Sequence, residues 1–327
     1  FTSFTGASGA TILALGGVLM PVLLAARYSE RHALGLLTGA GSLGMLFPPC
    51  LPLILYAIVA NTSAQANLSL KEIFLGGIGP GLLLVAITAW WGIRKGSREA
   101  ADRPAFRWAE ARAALWDAKW ELSIPVVAVG SLFTVPTIVE AAAVTATTAL
   151  VIAMVIHREV HPIRDLPRVI TQCGLLVGGV LLILGVALGF THYLVDAQLP
   201  DKLVAWATTA VKSKWLFLLG LNLVLLFVGG LVEIYAAIIV VVPLLVPLGV
   251  AFGIDPIHLG IIFLANMELG FLCPPVGLNL LLSSYRFNRP MAEVIRAAFP
   301  MLLVLLLGVL LITYFPPLTT FLPRLFR

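Results

Sequence analysis

The side chains that could do chemistry are a few polar residues beside glycines, within otherwise apolar stretches. In the first part of the chain these positions are Thr5, Gly6, Ser8, Gly9, Gly41, Ser42 and Gly44. In the second part they are Gly229, Gly230, Glu233, Asn266, Glu268 and Gly270. Hydroxyl, carboxylate, amide and backbone carbonyl oxygens suit hard cations such as Na⁺. The pattern therefore predicts one Na⁺ site in each part of the chain, with many ligands supplied by the backbone.

These residues also have simpler interpretations. Small residues are common where helices pack in membranes, and for any one glycine or serine packing is the more frequent role. Charged side chains at mid-membrane are costly and usually functional. Glu233 or Glu268 could bind a cation, carry a proton, or hydrogen-bond backbone groups freed by a broken helix. For Glu140 we expect a structural role, and for His32 and His258 helix capping or solvation.

Other kinds of chemistry lack the residues that they need. The sequence has no phosphate-binding loop, no metal-ligand spacing and no credible catalytic triad. No base is placed to activate Cys50 or Cys273. Three cysteines in apolar or interfacial sequence do not indicate a disulfide framework. We therefore expect neither an enzyme nor a protein that uses ATP, and no organic cofactor.

Two proline doublets interrupt the apolar sequence next to these residues: Pro48-Pro49 and Pro274-Pro275. Proline removes a backbone donor and clashes with the preceding helical turn. We therefore predict two broken helices, over about residues 32–60 and 257–285. Unwound backbone in a membrane is tolerated only inside protein or beside a water-filled cavity, so the breaks predict a polar site at mid-depth. The residues expected beside the substrate are Pro48, Pro49, Pro274, Pro275, Gly277 and Asn279.

The doublets belong to a longer internal correspondence. The offset between their residue numbers (274 − 48 = 226) also aligns Pro21 with Pro247, His32 with His258, Leu43 with Leu269 and Leu46 with Leu272. Corresponding breaks in two halves are typical of secondary transporters built from repeats. The halves differ chemically, because the second has Glu233, Asn266 and Glu268 where the first has Ala7, Ala40 and Ser42. If one cation site differs in affinity or also handles protons, we expect it to be the second.

The composition indicates a membrane protein. Of the 327 residues, 60% are hydrophobic and 11% charged, with a mean hydropathy of +1.03. Soluble domains carry about 25% charged residues, and several apolar runs here reach the roughly 20 residues that cross a bilayer. The net charge of +5 comes from short basic clusters between apolar runs, so it does not indicate nucleic-acid binding. The lipid bilayer is the expected surrounding.

The basic clusters predict the orientation, because cytoplasmic loops are enriched in Lys and Arg. The clusters placed in the cytoplasm are 27–31, 94–119, 158–168 and 286–296. The poorly basic loops placed outside are 61–69, 196–201 and 249–256. On this assignment the turn at 5–9 belongs to a hairpin that enters from inside, and 215–249 is a hairpin that enters from outside. The two repeats are then expected to have opposite topology.

Further elements complete the predicted architecture. Plain spans are predicted over 73–93, 174–193 and about 297–315, with an interfacial helix over 108–120 and an interruption of 122–156 near Pro136. We divide the chain into 1–60, transport region of the first repeat; 61–121, a scaffold span, a cytoplasmic loop and the interfacial helix; 122–213, scaffold spans of the second repeat; 214–289, transport region of the second repeat; and 290–327, a C-terminal span. The chain starts at Phe1 without methionine, so we expect an N-terminal part to precede it.

Four segments resemble the large membrane subunit of TRAP transporters, the tripartite ATP-independent periplasmic transporters. They are Phe4-Thr5-Gly6-Ala7-Ser8-Gly9, Leu46-Phe47-Pro48-Pro49, Phe133 to Ala143, and Pro274-Pro275-Val276-Gly277-Leu278-Asn279-Leu280. The resemblance covers essentially the whole chain, and the last segment is the most specific. It implies an all-α polytopic membrane protein of the bacterial inner membrane, with inverted repeats, two re-entrant helical hairpins, two broken transmembrane helices and an elevator mechanism.

The resemblance also implies partners and cargo. It implies Na⁺-driven import of an anionic small molecule, an organic acid such as a C4-dicarboxylate, sialic acid or another carboxylate. A small membrane subunit and a periplasmic substrate-binding protein are the implied partners. The family subunit is longer at its N-terminus, which agrees with a preceding segment. Two alternatives stay open: a proton-coupled carrier or channel that uses Glu233 and Glu268, and an intramembrane enzyme, for which the spans lack a nucleophile–base pair.

Overall fold

The computed structural model describes residues 2–6, 8–64, 66–96, 107–135 and 137–326, and every regular element among them is helical. The α-helices of this described part, α1 to α16 in order, are Thr2–Thr5, Ser8–Ala25, Glu30–Ala40, Leu51–Ala64, Leu70–Lys95, Trp108–Asp117, Lys119–Thr134, Ile138–Val151, Leu166–Asp196, Leu199–Ala210, Lys214–Leu231, Ile234–Ala251, Pro256–Gly270, Leu278–Phe287, Met291–Tyr314 and Pro317–Leu325. A 3₁₀ turn covers Leu43–Leu46, and a π-helical turn covers Ile152–Ile156. The all-α prediction is confirmed.

Several of these helices can cross a bilayer. Six described helices are long and apolar enough: Ser8–Ala25, Leu70–Lys95, Val139–Ile156, Lys214–Leu231, Ile234–Ala251 and Met291–Tyr314. A seventh span results if the bent pair Glu30–Leu46 and Leu51–Thr62, which meet at 47°, is counted as one. Such a set of helices is that of a multi-pass membrane protein, as the composition predicts.

The chain forms two compact units, Ala100–Val186 and the remainder, Phe1–Glu99 with Ala187–Arg327. In the smaller unit, α6 exposes Trp108 and Trp116, and the Lys119 ammonium lies 4.0 Å from the centroid of the Trp116 ring. This exposed aromatic and basic surface agrees with the predicted interfacial helix. The predicted interruption is present between α7 and α8, although Pro136 itself lies outside the described residues. Glu140 has the structural role expected of it, because it forms a capping box with Thr137 at the start of α8.

The larger unit contains four interrupted elements. The segment predicted as the first hairpin breaks at Gly6, which has a φ of +62° that favours glycine, between α1 and α2. The segment predicted as the second hairpin breaks between α11 and α12. We keep the name hairpin for these two segments. The first broken helix is α3, the 3₁₀ turn and α4, and the second is α13 and α14. Both proline doublets have cis peptide bonds.

The ends of corresponding helices are separated by the same 226 residues as the two proline doublets. Helix α2 covers residues 8 to 25 and α12 covers 234 to 251, so their starts and their ends both keep this offset (234 − 8 = 226; 251 − 25 = 226). Helices α3 and α13 begin at residues 30 and 256, which differ by the same amount (256 − 30 = 226). The correspondence found between single residues of the sequence thus extends to the positions of whole helices.

Other details differ from the sequence predictions. Helices α10 and α16 were not predicted, and the second hairpin breaks at Val232 and Glu233, because Gly229 and Gly230 remain within α11. His32 follows Ser29, which caps α3 and accepts from the His32 backbone N–H, so capping at this point is present. His258 is neither a cap nor solvated, since it is 2% exposed and its ring bonds Thr319 and the Thr313 carbonyl.

Candidate functional site

The four interrupted elements meet in one place. Three hydrogen bonds join these elements: two involve a side chain and a backbone carbonyl, and one joins backbone to backbone. They are Tyr235 Oη to Gly6 O at 3.2 Å, Gly277 N to Gly230 O at 3.0 Å, and Asn279 Nδ2 to Thr38 O at 3.2 Å. These bonds link the two hairpins to each other, the second hairpin to the second break, and the two broken helices to each other. We call this region the convergence site.

Asn279 is the side chain that joins the two broken helices. It is fully buried at the start of α14, and its amide donates to the Thr38 carbonyl and, at 3.4 Å, to the Ser42 hydroxyl oxygen. Thr38 Oγ1 in turn donates to Ser283 Oγ at 2.9 Å. The carboxamide oxygen of Asn279 has no hydrogen-bond partner among the described residues. A buried acceptor without a partner is costly, so this oxygen is available to a ligand.

The first hairpin packs closely on the first break. Thr2 Oγ1 donates to the Gly41 carbonyl at 2.9 Å, and a Cβ at Gly44 would lie 2.6 Å from the Thr2 Cβ. A Cβ at Gly41 would lie 2.6 Å from Ile12 and 3.6 Å from the Ser8 carbonyl oxygen. Glycine is therefore required at both positions for the hairpin to reach the unwound backbone.

Ser8 provides a second unpartnered oxygen in this region. The residue is 1% exposed at the start of α2, and its hydroxyl oxygen has no hydrogen-bond partner among the described residues. The residues predicted for the first cation site thus surround one region, except that Gly9 contacts Leu282 of α14. The Thr5 side chain and Ala7 lie outside the described residues.

Gly229, Gly230 and Gly270, the three glycines predicted for the second site, lie where α11 packs closely against α13 and the second break. A Cβ at Gly270 would lie 2.5 Å from the Gly229 Cα, and a Cβ at Gly229 would lie 3.0 Å from the Gly270 Cα. A Cβ at Gly230 would lie 3.3 Å from the Cys273 carbonyl oxygen. Helices α11 and α13 therefore touch backbone to backbone, which only small residues permit.

Glu233 caps a helix at the tip of the second hairpin. Its carboxylate accepts from the Tyr235 backbone N–H at 2.9 Å, at the first turn of α12, and the side chain is exposed. A carboxylate at a helix N-terminus is stabilised by the free N–H groups and by the helix dipole. The carboxylate of Glu233 is thus already stabilised by the N-terminus of α12, without a bound cation.

Asn266 belongs to a buried polar cluster that the sequence did not predict. Its amide donates to Asn222 Oδ1 of α11 at 2.7 Å, and Thr313 Oγ1 of α15 donates to the same oxygen at 3.0 Å. Asn222 and Thr313 are both buried. Such bonds hold transmembrane helices together, so the cluster ties α13 to α11 and α15.

Glu268, in the second broken helix, lies beside the break of the first. The side chain is 3% exposed, and its carboxyl lies next to the backbone N–H groups of Met45 and Leu46 in the first break. Neither oxygen completes a hydrogen bond of normal geometry with a described residue. Ser42 and Glu268 occupy corresponding positions, 226 residues apart. Ser42, in the first broken helix, contacts Asn279 of the second. Glu268, in the second broken helix, lies beside Met45 and Leu46 of the first.

The members proposed for the two sites are therefore arranged differently. Those of the first site surround the first break, whereas Glu233 caps α12, Asn266 bonds Asn222, and Glu268 lies beside Met45 and Leu46 of the first break. The described residues contain no group of three or more His, Cys, Asp and Glu side chains that could hold a metal ion. Sequence reasoning missed Thr2, Thr38 and Tyr235, which become neighbours of the site only through contacts distant in sequence.

Several helices begin or end at the convergence site. Four helices begin there, α2 at Ser8, α4 at Leu51, α12 at Ile234 and α14 at Leu278, and four end there, α1, α3, α11 and α13. Helix N-termini carry partial positive charge and C-termini partial negative charge. Anionic groups are stabilised at the former and cations at the carbonyl ends, so the arrangement can hold an anion and a cation close together.

Known proteins are similar to this chain over nearly its whole length. The family model for the DctM component of the tripartite ATP-independent periplasmic transporters matches residues 1–318. A C4-dicarboxylate TRAP transporter large permease protein of Pseudomonas aeruginosa is 35% identical over 99% of this chain and 75% of that protein. A sialic acid large permease protein of Vibrio cholerae is 31% identical over 99% of the chain and 75% of its own length. An ectoine/5-hydroxyectoine large permease protein of Ruegeria pomeroyi is 30% identical over 98% and 74%.

Proposed function

We propose a Na⁺-coupled import function for this chain, which belongs to the DctM family of tripartite ATP-independent periplasmic transporters. It is a large permease subunit of that family, and its relatives are transport permeases rather than enzymes. Permeases of the family work with a small membrane subunit and a periplasmic binding protein. We propose both as partners of this chain, in the bacterial inner membrane.

The proposed substrate is an organic acid: a C4-dicarboxylate, sialic acid or another carboxylate. The three relatives described above are named for different molecules, but each of those molecules carries a carboxylate group. In this chain α14 begins without a side-chain cap, whereas α12 is capped by Glu233. The Gly277 and Asn279 N–H groups donate to the Gly230 and Phe271 carbonyls, so the N–H groups of Leu278 and Leu280 are the ones left for a ligand. We therefore place the substrate carboxylate near the start of α14, beside the second proline doublet.

The observation that carries the Na⁺ proposal is the pair of buried, unpartnered oxygens at the first break, Ser8 Oγ and Asn279 Oδ1. Ser8 adjoins Gly41 and Asn279 adjoins Ser42, at the point where α3 ends. Hydroxyl, amide and carbonyl oxygens are ligands of hard cations. A bound Na⁺ would give these oxygens the partner that they lack. Glu268, with Gly229, Gly230 and the other predicted members, stays the proposal for a second cation.

The mechanism that we propose is an elevator built from two inverted repeats. Its support is the constant offset in residue number between α2 and α12, and between the starts of α3 and α13. The hydrogen bonds of the convergence site join hairpins and broken helices of both halves, so these elements can move as one body. Substrate and Na⁺ bound there would cross the membrane together with it.

The test of Na⁺ coupling compares Ser8→Ala with wild type in proteoliposomes that contain the small subunit and are supplied with the binding protein. A bond to a charged group contributes about 1.5–3 kcal/mol, so Ser8→Ala should raise the Na⁺ concentration for half-maximal uptake about tenfold or more. Ser123→Ala in α7 is the matched control, and its Na⁺ dependence should not change. An unchanged Na⁺ dependence in Ser8→Ala would remove Ser8 from the site.

A second candidate function is a proton-coupled carrier or channel. The observation that favours it is the Glu268 carboxyl, which is buried and lacks a hydrogen bond of normal geometry to a described residue. Ionisable side chains in such positions are common in proton pathways. Uptake driven by a pH gradient without Na⁺, and abolished by Glu268→Gln, would establish this function in place of Na⁺ coupling.

A further inference from the structure

An apolar groove lies on the outer side of the second hairpin, apart from the convergence site. Helix α10 forms one wall with Leu203 and Trp206, and α11 and α12 form the others, from Leu216 to Val228 and from Val240 to Leu248. Its volume is about 440 Å³, and the walls are almost entirely apolar. We propose that this groove binds an acyl chain of an anionic phospholipid, whose headgroup lies at Lys212.

The length of the groove fits one leaflet of a bilayer. The α11 wall runs from Leu216 to Val228, a separation of twelve residues (228 − 216 = 12), or about 18 Å at 1.5 Å per residue. The hydrocarbon core of a bilayer is about 30 Å thick, so one leaflet supplies about 15 Å of acyl chain. A single chain that enters from the interface would therefore extend along most of the groove.

The length and the apolar lining of the groove favour an acyl chain as the occupant. An extended hydrocarbon chain is much thinner than a helix. In a protein surrounded by lipid, the molecule of that shape at highest concentration is the phospholipid itself.

The charge at the end of the groove selects an anionic headgroup. Val211 lines the groove at the end of α10, and the next residue, Lys212, is exposed and makes no hydrogen bond or ion pair with a described residue. Trp206 and Trp215 are 69% and 58% exposed on either side of this loop. Exposed tryptophans mark the membrane interface, and a lysine there attracts anionic lipid.

A lipid in this position would fill the space between α10 and the hairpin. Helix α11 is the same helix whose other end crosses α13 at Gly229 and carries Gly230, which accepts from Gly277. The acyl chain would thus support the hairpin from the side that faces away from the substrate. This inference is independent of the coupling ion, because the groove shares no residue with either proposed cation site.

The test uses phosphatidylglycerol with a photoactivatable diazirine in its acyl chain, added to the assembled transporter in phosphatidylcholine vesicles. Crosslinks are mapped by mass spectrometry. Wild type should be labelled on α10, α11 and α12 at groove positions. Gly220→Phe should abolish this labelling, because no atom lies within 4 Å of a Cβ there and the ring would occupy the groove. Gly174→Phe is the control, since that glycine is equally open and lies in α9.

The headgroup is tested by a second variant that leaves the groove intact. Lys212→Ala should lower phosphatidylglycerol labelling about fivefold, which corresponds to about 1 kcal/mol for one interfacial lysine, and leave labelling by the phosphatidylcholine analogue unchanged. Lys71→Ala, at the exposed start of α5, should change neither. Groove labelling that persists in Gly220→Phe, or crosslinks between the groove and the small subunit in place of lipid, would overturn the proposal.

Discussion

Replacement of Gly270 by alanine tests the backbone contact between α11 and α13. The new methyl group would lie 2.5 Å from the Gly229 Cα, 2.6 Å from the Gly229 carbonyl carbon and 3.0 Å from the Gly230 nitrogen. Favourable contacts between carbon atoms need about 3.5–4.0 Å, so the helices must separate by about 1–1.5 Å. All three neighbours are backbone atoms, which cannot rotate away. Overpacking of this kind costs about 1–3 kcal/mol.

The matched control is Gly220→Ala, which makes the same chemical change on α11. No atom lies within 4 Å of a Cβ at Gly220, so alanine meets no obstacle there. Alanine also favours a helix over glycine by up to about 1 kcal/mol. The two substitutions should therefore have opposite signs, Gly270→Ala lowering the thermal unfolding temperature of the purified complex and Gly220→Ala leaving it equal or higher.

The assay has a second readout in transport. Separation of α11 from α13 would strain the bond from Gly277 N to Gly230 O, which ties the second hairpin to the second break. We therefore expect Gly270→Ala to lower substrate uptake, with Gly220→Ala near wild type. Equal unfolding temperatures and equal uptake for the two variants would refute the backbone contact.

Three further substitutions probe single contacts of the convergence site. Glu233→Ala removes the cap of α12 and should cost about 0.5–2 kcal/mol of stability, whereas Glu233→Ser, which can still accept from the Tyr235 N–H, should recover most of the loss in thermal unfolding. Asn279→Ala removes the donor to Thr38 and Ser42 in a buried site, and we expect about 1–3 kcal/mol of destabilisation together with loss of Na⁺-dependent uptake. Glu268→Gln keeps the side-chain shape and should retain uptake driven by the first Na⁺ site; complete loss of uptake, together with wild-type uptake driven by a pH gradient without Na⁺, would instead favour the proton-coupled function.

The sequence predicted the interruptions because each has a local cause. Proline doublets break helices wherever they occur, so the breaks at Pro48 and Pro274 could be placed from the sequence alone. The second hairpin was placed three residues early, since Gly229 and Gly230 were interpreted as the turn. They remain helical because the crossing with α13 needs their small size, and Glu233 ends the turn as a cap.

Two helices and much of the site could not be predicted from local signals. Helix α16 begins at Pro317 and contains Pro323. Pro317 is tolerated because it lies in the first turn, but two prolines in nine residues gave no sequence indication of a helix. Thr38 and Tyr235 lie in apolar runs without a distinguishing pattern. Their partners, Asn279 and Gly6, come from the opposite half of the chain, so only the fold reveals the contacts.

The measurement that tests the central claim most directly is substrate uptake into proteoliposomes with and without an inward Na⁺ gradient. The vesicles contain this chain with its small subunit, the cognate binding protein carries the organic acid, and membrane potential and pH are held equal. The account predicts accumulation above the external concentration only when the Na⁺ gradient is present, and its loss in Asn279→Ala. Equal accumulation with the gradient removed would contradict Na⁺ coupling at the convergence site.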